Sequence, residues 1–150
     1  MSFTFVDPTS LDHHALEDGT EFAPRFDAHG LLTVVTVDDE TKDVLMVAYM
    51  NAETLSLTIE TGIAHYYSRS RKSIWKKGET SGELQQVVSL RTDCDQDCIV
   101  MSVHQTGRGA ACHTGRKTCF YRQVTVENGE AKLADTGIPR LFDPKAVYGK

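Results

Sequence analysis

LLTVVTVDDETKDVLMVAYM, residues 31–50, decides the fold class. Residues 31–37 are rich in β-branched side chains, DDETKD supplies a polar turn, and residues 44–50 form a second apolar run, which together predict a hairpin. Directly after it, Asn51 is placed to cap a short helix whose apolar Leu55, Leu57 and Ile59 stop at Gly62. Further strands are expected at 65–67 and 73–75 across a basic turn, then at 85–91, 99–105 and 119–126, the last running into an Asn128-Gly129 turn. GETSG at 78–82 has too many small and polar residues to extend a strand and reads as a loop. Upstream, residues 1–30 mix acids, glycine and proline with scattered apolar side chains and support at most a short helix. The expected class is α+β: a mainly antiparallel β-sheet with one or two short helices.

A chain of 150 residues predicts a single domain spanning 1–150, burying about 70% of its unfolded surface. Hydrophobic residues at 40%, charged residues at 25% and only four prolines exclude disorder, collagen-like repetition and a disulfide-dense miniprotein. A net charge of −5 argues against nucleic acid as a partner. No apolar run approaches the roughly 20 residues that cross a bilayer, and the N-terminus has neither the basic start nor the apolar stretch of a signal peptide. A cytoplasmic protein without a membrane partner is expected. The four cysteines all fall within 94–119, and in a reducing compartment they point to metal ligation or reactive thiols rather than disulfides.

Charge is uneven along the chain, net −10 over residues 1–60 and +5 over 61–150. Arg69, Arg71, Lys72, Lys76 and Lys77 place five positive charges within nine positions. That density suits a small phosphorylated anion, although a solvated basic loop has the same composition. Asp93, Asp95 and Asp97 alternate in DCDQD. If extended, the segment projects all three carboxylates from one face, about 6 to 7 Å apart, and such a face calls for a hard cation such as Mg²⁺. Cys94 and Cys98 then point the other way, while Cys112 and Cys119 lie beyond a glycine-containing turn in CHTGRKTC. Thiolates select Zn²⁺; four close a structural site, and three leave a place for water. Neither pair has CxxC spacing, and a buried free thiol is the alternative for Cys98. His113 stands beside Cys112, where an imidazole serves as ligand, proton carrier or loop hydrogen-bond donor.

YYSRSRKSIWKKGETSG (66–82), RTDCDQD (91–97) and ACHTGRKTCFYR (111–122) together resemble the phosphoribosyl-AMP cyclohydrolase family over about residues 30–124. The resemblance implies hydrolysis of the N1–C6 bond of the adenine ring of 1-(5-phosphoribosyl)-AMP, the third step of histidine biosynthesis, without release of ammonia. It implies an interlocked homodimer. Zn²⁺ is then held by Cys94 of one subunit with Cys112 and Cys119 of the other, Mg²⁺ by Asp93, Asp95 and Asp97, and Cys98 is spare. Zinc lowers the pKa of the attacking water toward 7. His113 is the expected proton shuttle; Arg69, Arg71, Lys76, Lys77 and Arg116 are the expected phosphate anchors, aided by backbone N–H groups of GETSG. One departure stands out: relatives are read as carrying His or Asn after GETSG, where this chain has Glu83. Glu83 must therefore face solvent, pair with a nearby Arg or Lys, or change affinity. No acidic helical module follows residue 124, in keeping with the stand-alone form of the enzyme. The competing readings are another zinc-dependent purine nucleotide hydrolase and a structural four-cysteine zinc protein.

Overall fold

The computed structural model describes residues 3–148; the two residues at each end of the expected 1–150 domain lie outside the described part. A turn of 3-10 helix at Pro8–Ser10 and helix α1 (His13–Asp18) precede strands β1 (Leu32–Asp38) and β2 (Val44–Met50). Helix α2 (Ala52–Thr61) follows, then β3 (His65–Ser68), β4 (Ser73–Lys76), β5 (Gln85–Thr92) and β6 (Cys98–Gln105). β7 (Arg122–Glu127), β8 (Glu130–Asp135) and helix α3 (Pro144–Tyr148) complete the chain. No helix among the described residues is long and apolar enough to cross a membrane.

The hairpin at 31–50 forms as its pattern demands. Leu32, Val34 and Thr36 alternate inward from β1 and pair antiparallel with β2. Asn51 Oδ1 accepts from the Thr54 N–H and Thr54 Oγ1 accepts from the Asn51 N–H, a reciprocal cap that starts α2, and Gly62 ends it. Sheet order is β4-β3-β2-β1-β6-β5. All neighbours are antiparallel except β1 and β6, which run parallel. That pair makes the main sheet mixed, a feature local patterning does not reveal. The α+β class holds, with more strands than expected. β8 is the added strand, joined to β7 through Asn128 and Gly129, both at positive φ as a two-residue hairpin turn requires.

The sheet curls until β5 returns to the chain just before β3. Ile63 bridges Gln86, Ala64 N donates to Gln85 O (2.9 Å) and Val87 N donates to Gly62 O (2.8 Å), which links β5 back to the residues before β3. Inside this curl lie Leu32, Leu45, Met50, Leu55, Ile99 and Met101 at 1% exposure or less, each contributing about 1.5–3 kcal/mol by burial. The enclosure also holds polar groups. Tyr66 Oη donates to Gln85 Oε1 and accepts from Thr36 Oγ1 (2.8 Å), and Gln85 Nε2 donates to Gln105 Oε1 (3.2 Å). Burial pushes the Tyr66 hydroxyl far above the usual phenol range. Gln105 Nε2 then donates to Glu83 O (2.8 Å), which carries the chain of hydrogen bonds to the edge of GETSG.

Tyr66→Phe leaves the Gln85 acceptor buried without its donor. At fixed protein concentration, urea unfolding is expected to show a loss of about 1–3 kcal/mol. A loss below about 0.5 kcal/mol would show that the network contributes little to stability.

Candidate active site

Residues 112–119 form an irregular loop pinned to the β1–β2 hairpin. Cys119 N donates to Leu45 O (2.7 Å), Thr118 Oγ1 donates to Val44 O (2.7 Å), and Lys117 Nζ reaches Thr41 Oγ1 (2.9 Å) and Asp43 Oδ2 (3.0 Å). The backbone doubles back through Gly115 N to Cys112 O (3.0 Å) and Cys112 N to Arg116 O (3.1 Å). Cys112 and Cys119 thereby hydrogen-bond to one another, and neither is in a disulfide. The contact with Cys119, aided by a hydrogen bond from Thr114 Oγ1 (3.1 Å), draws the Cys112 thiol down to about 5. The same contact and burial push Cys119 up, so the pair retains one proton.

Beside this pair opens a cavity of about 440 Å³. Its walls include Cys119, His113 and Ala111 from the loop, Trp75, Lys76 and Lys77 from β4 and its end, and Gly78, Glu79, Thr80 and Ser81 from GETSG. Arg71, Met46 and Tyr148 complete it. Gly78 is at φ +91, and a Cβ there would stand 2.6 Å from the Glu83 carbonyl carbon, so only glycine lets the loop fold back on itself.

The five expected anchors separate. Arg71 and Lys76 line the cavity. Lys77 also lines it, but its ammonium is buried and donates to Ala111 O at 2.6 Å, and burial holds its pKa below the usual lysine range. Arg69 stacks 4.1 Å from the Tyr49 ring centre, and Arg116 stacks 3.9 Å from that of Tyr121 with Nη2 3.9 Å from Asp135.

DCDQD is not extended. It is the turn between β5 and β6, with Gln96 at φ +57 and Asp93 Oδ1 accepting from the Asp97 N–H (3.0 Å) and the Cys98 N–H (3.2 Å). The expected sorting of carboxylates and thiols onto opposite strand faces is therefore corrected: a turn has no two-residue alternation. Gln96 is buried and holds the turn to the N-terminal segment through Ala23 N (2.8 Å) and Leu16 O (2.9 Å). The turn still gathers Asp93, Asp95 and Asp97, whose ligand oxygens lie within 4.8 Å of one another. Hydrogen bonds with Asp95 and Asp93 raise the Asp97 carboxyl to about 6. For Asp93, burial opposes ionisation, but hydrogen bonds with Asp97 and Asp95 and from backbone N–H groups outweigh it and hold the group low. Three carboxylate donors fit a hard dication and two soft sulfurs sharing one proton fit a thiophilic one. Cys94 is exposed beside the acid cluster, and among the described residues only the three aspartates gather as a potential metal group within one chain.

Residues 46–121 match the family model described as phosphoribosyl-AMP cyclohydrolase. A protein of that name from Sinorhizobium fredii strain NGR234 is 57% identical over 100% of this chain and 98% of its own. Its namesake in Nitrobacter hamburgensis strain X14 is 59% identical over 95% and 97% of the two chains, and one in Rhizobium etli strain CIAT 652 is 53% identical over the whole of both. The chain belongs to the phosphoribosyl-AMP cyclohydrolase family. It is therefore a hydrolase of histidine biosynthesis with a phosphorylated nucleotide as substrate. All the candidate cyclohydrolase residues from Arg69 to Cys119 fall inside the matched span. Sequence reasoning missed Trp75 and Tyr148 as wall residues and Arg108 as the partner of Glu83 (Nε to Oε1, 2.9 Å). No local signal marks Arg108, which lies 25 positions away.

In the metal-free protein the raised Asp97 contributes stability below its unfolded value of 3.8 and loses it as pH rises through about 6. A cation held by the triad would displace that proton. Calorimetric titration with Mg²⁺ in buffers of different ionisation enthalpy is expected to show release of about 0.9 proton per chain at pH 5 and about 0.1 at pH 7. Equal release at both pH values, or an unchanged count in Asp97→Asn, would contradict the assignment.

Proposed function

We propose that the chain opens the adenine ring of phosphoribosyl-AMP at N1–C6 in a zinc-dependent hydrolysis, as a cytoplasmic homodimer whose subunits share the zinc ligands. The observation that carries this reading is the convergence of Cys119, hydrogen-bonded to Cys112, with His113 and the GETSG loop on one cavity. Cys112 and Cys119, with Cys94 of a second copy, would hold the zinc, which would supply Lewis acidity and bring a water toward ionisation near neutral pH. Asp93, Asp95 and Asp97 would hold Mg²⁺ beside Cys94, where it would supply positive charge to balance a substrate phosphorylated at both ends.

The chain's own side chains do the rest. Arg71 and Lys76 anchor the phosphates from the cavity wall, and GETSG backbone N–H groups add donors without charge. Arg69 and Arg116, held on aromatic rings, are outer anchors. Lys77 contributes its charge from beneath the wall. Trp75 and Met46 provide an apolar surface for the purine. His113, exposed on the wall, carries a proton to the departing N1.

Two observations support the dimer. Cys94 does not group with Cys112 and Cys119 inside one chain. Strands β7 and β8 form a separate sheet with every residue exposed, including Val124 and Val126. A lone hairpin of that kind is marginal in water and gains stability by packing on a second copy.

Zinc-loaded protein with Mg²⁺ is expected to convert phosphoribosyl-AMP, followed by its ultraviolet change, without ammonia, and Cys112→Ala should abolish the reaction. Ammonia release would instead indicate deamination, and no turnover by folded, metal-filled dimer would sink the reading. Ligand sharing has its own test. Cys94→Ala and Cys112→Ala, each inactive alone, should after unfolding and joint refolding recover about a quarter of wild-type activity, since half the dimers carry one intact site of two. Zero recovery would place all three ligands in one subunit.

A further inference from the structure

Lys77 and Glu83 bracket GETSG in sequence, and both are buried, at 8% and 1% exposure. Both side chains end on the same short segment. Glu83 Oε1 accepts from Arg108 N (3.1 Å) and Arg108 Nε (2.9 Å), and Oε2 accepts from Gly109 N (3.1 Å) and Ala110 N (3.3 Å). Lys77 Nζ donates to Ala111 O. Arg108 is itself oriented, with Nη2 donating to Ser81 O (3.3 Å) and its guanidinium 4.2 Å from the Phe142 ring centre. Gly107 makes room for the contact: a Cβ there would stand 2.8 Å from Glu83 Oε2, at a φ of +66. The N–H groups of residues 108–110 and the Ala111 carbonyl thus take partners from the two side chains that flank the substrate loop, while Gly109 N also donates to Thr106 O (3.2 Å) and Ala111 N donates to Lys117 O (3.1 Å). The next two residues are Cys112 and His113.

We propose that Glu83 is a positioning residue for the hydrolysis. Its carboxylate locks residues 108–111 to the GETSG loop, so that the Cys112 sulfur and the His113 ring keep a fixed place relative to a substrate held by that loop. An acid that only balanced a charge would need Arg108 alone. Glu83 also takes three consecutive backbone N–H groups, which sets the position and orientation of the segment rather than merely neutralising it. The kinetic consequence rests on the function proposed above; the structural one does not.

Glu83→Gln keeps the size and one acceptor oxygen but turns an amide NH₂ toward donors of the same segment. With thermal melting unchanged, kcat is expected to fall about 10- to 100-fold while KM for phosphoribosyl-AMP stays within about twofold, because the displaced groups act on chemistry rather than on phosphate binding. In metal-free full-length protein, Cd²⁺ affinity read from the thiolate-to-metal absorption should weaken about tenfold. Arg108→Gln removes one donor of four and should lower kcat about threefold at constant KM; it carries the test if Glu83→Gln does not fold. Wild-type kcat and Cd²⁺ affinity in folded Glu83→Gln overturn the proposal, as does a kcat loss equal to the fraction of protein unfolded. If the wild type itself shows no turnover, the functional reading fails, and the Cd²⁺ comparison still decides the role of Glu83.

Discussion

Backbone groups at residues 108–111 belong to no strand, and Ala110 and Ala111 are almost fully buried. Left unpaired, each such group would cost about 1–3 kcal/mol. Glu83 and Lys77 answer that constraint, and the cavity depends on the answer. The two side chains join the loop between β4 and β5 to the loop that carries the sulfur pair, beyond the point where the β5–β6 pairing ends at Gln85 and Gln105. A buried acid and a buried lysine are each costly alone. Placed on opposite polar groups of one segment, they turn that cost into a fixed geometry.

The same logic runs through the barrel-like interior. Tyr66, Gln85 and Gln105 are not a breach in the apolar core but a connected set in which each donor has an acceptor, reaching Glu83 O at the loop. Connected polar groups specify one arrangement where a purely apolar core tolerates several. The curl of the sheet brings β3 and β5 together, and the network in turn fixes how far β5 stands from β1 and β6. Position of the cavity floor is therefore set by the core and not by the loops alone.

Charge is handled by shared protons wherever like groups crowd. The Cys112–Cys119 pair retains one, and the aspartate triad raises Asp97 to about 6. Crowding of this kind is unfavourable in the isolated chain and becomes favourable when a cation replaces the proton. The acidic first 60 residues and basic remainder give the fold an uneven field, with Arg71 and Lys76 set at the cavity. Lys117, by contrast, spends its charge on Asp38 and Asp43 and ties the sulfur loop to the hairpin turn.

By itself the sequence determined the hairpin at 31–50, the helix between Asn51 and Gly62, most strand positions and the family. Each of these depends on neighbours a few residues apart: alternation, a cap, or a contiguous motif. Tertiary structure alone decided the parallel pairing of β1 with β6, the turn at DCDQD and the partner of Glu83. The alternating aspartates suggested a strand, yet Gln96 at positive φ and the Asp93 turn bonds override a pattern only five residues long. Glu83 posed three alternatives, and Arg108 settled them in favour of an ion pair between the buried carboxylate and a partly exposed guanidinium. Tyr148 reaches the cavity because Leu141 N bonds Gly115 O and folds the tail over the loop. Local order is written in adjacent residues. Contacts between residues 25 or more positions apart come from the curled sheet, which brings distant segments together and makes burial demand a partner.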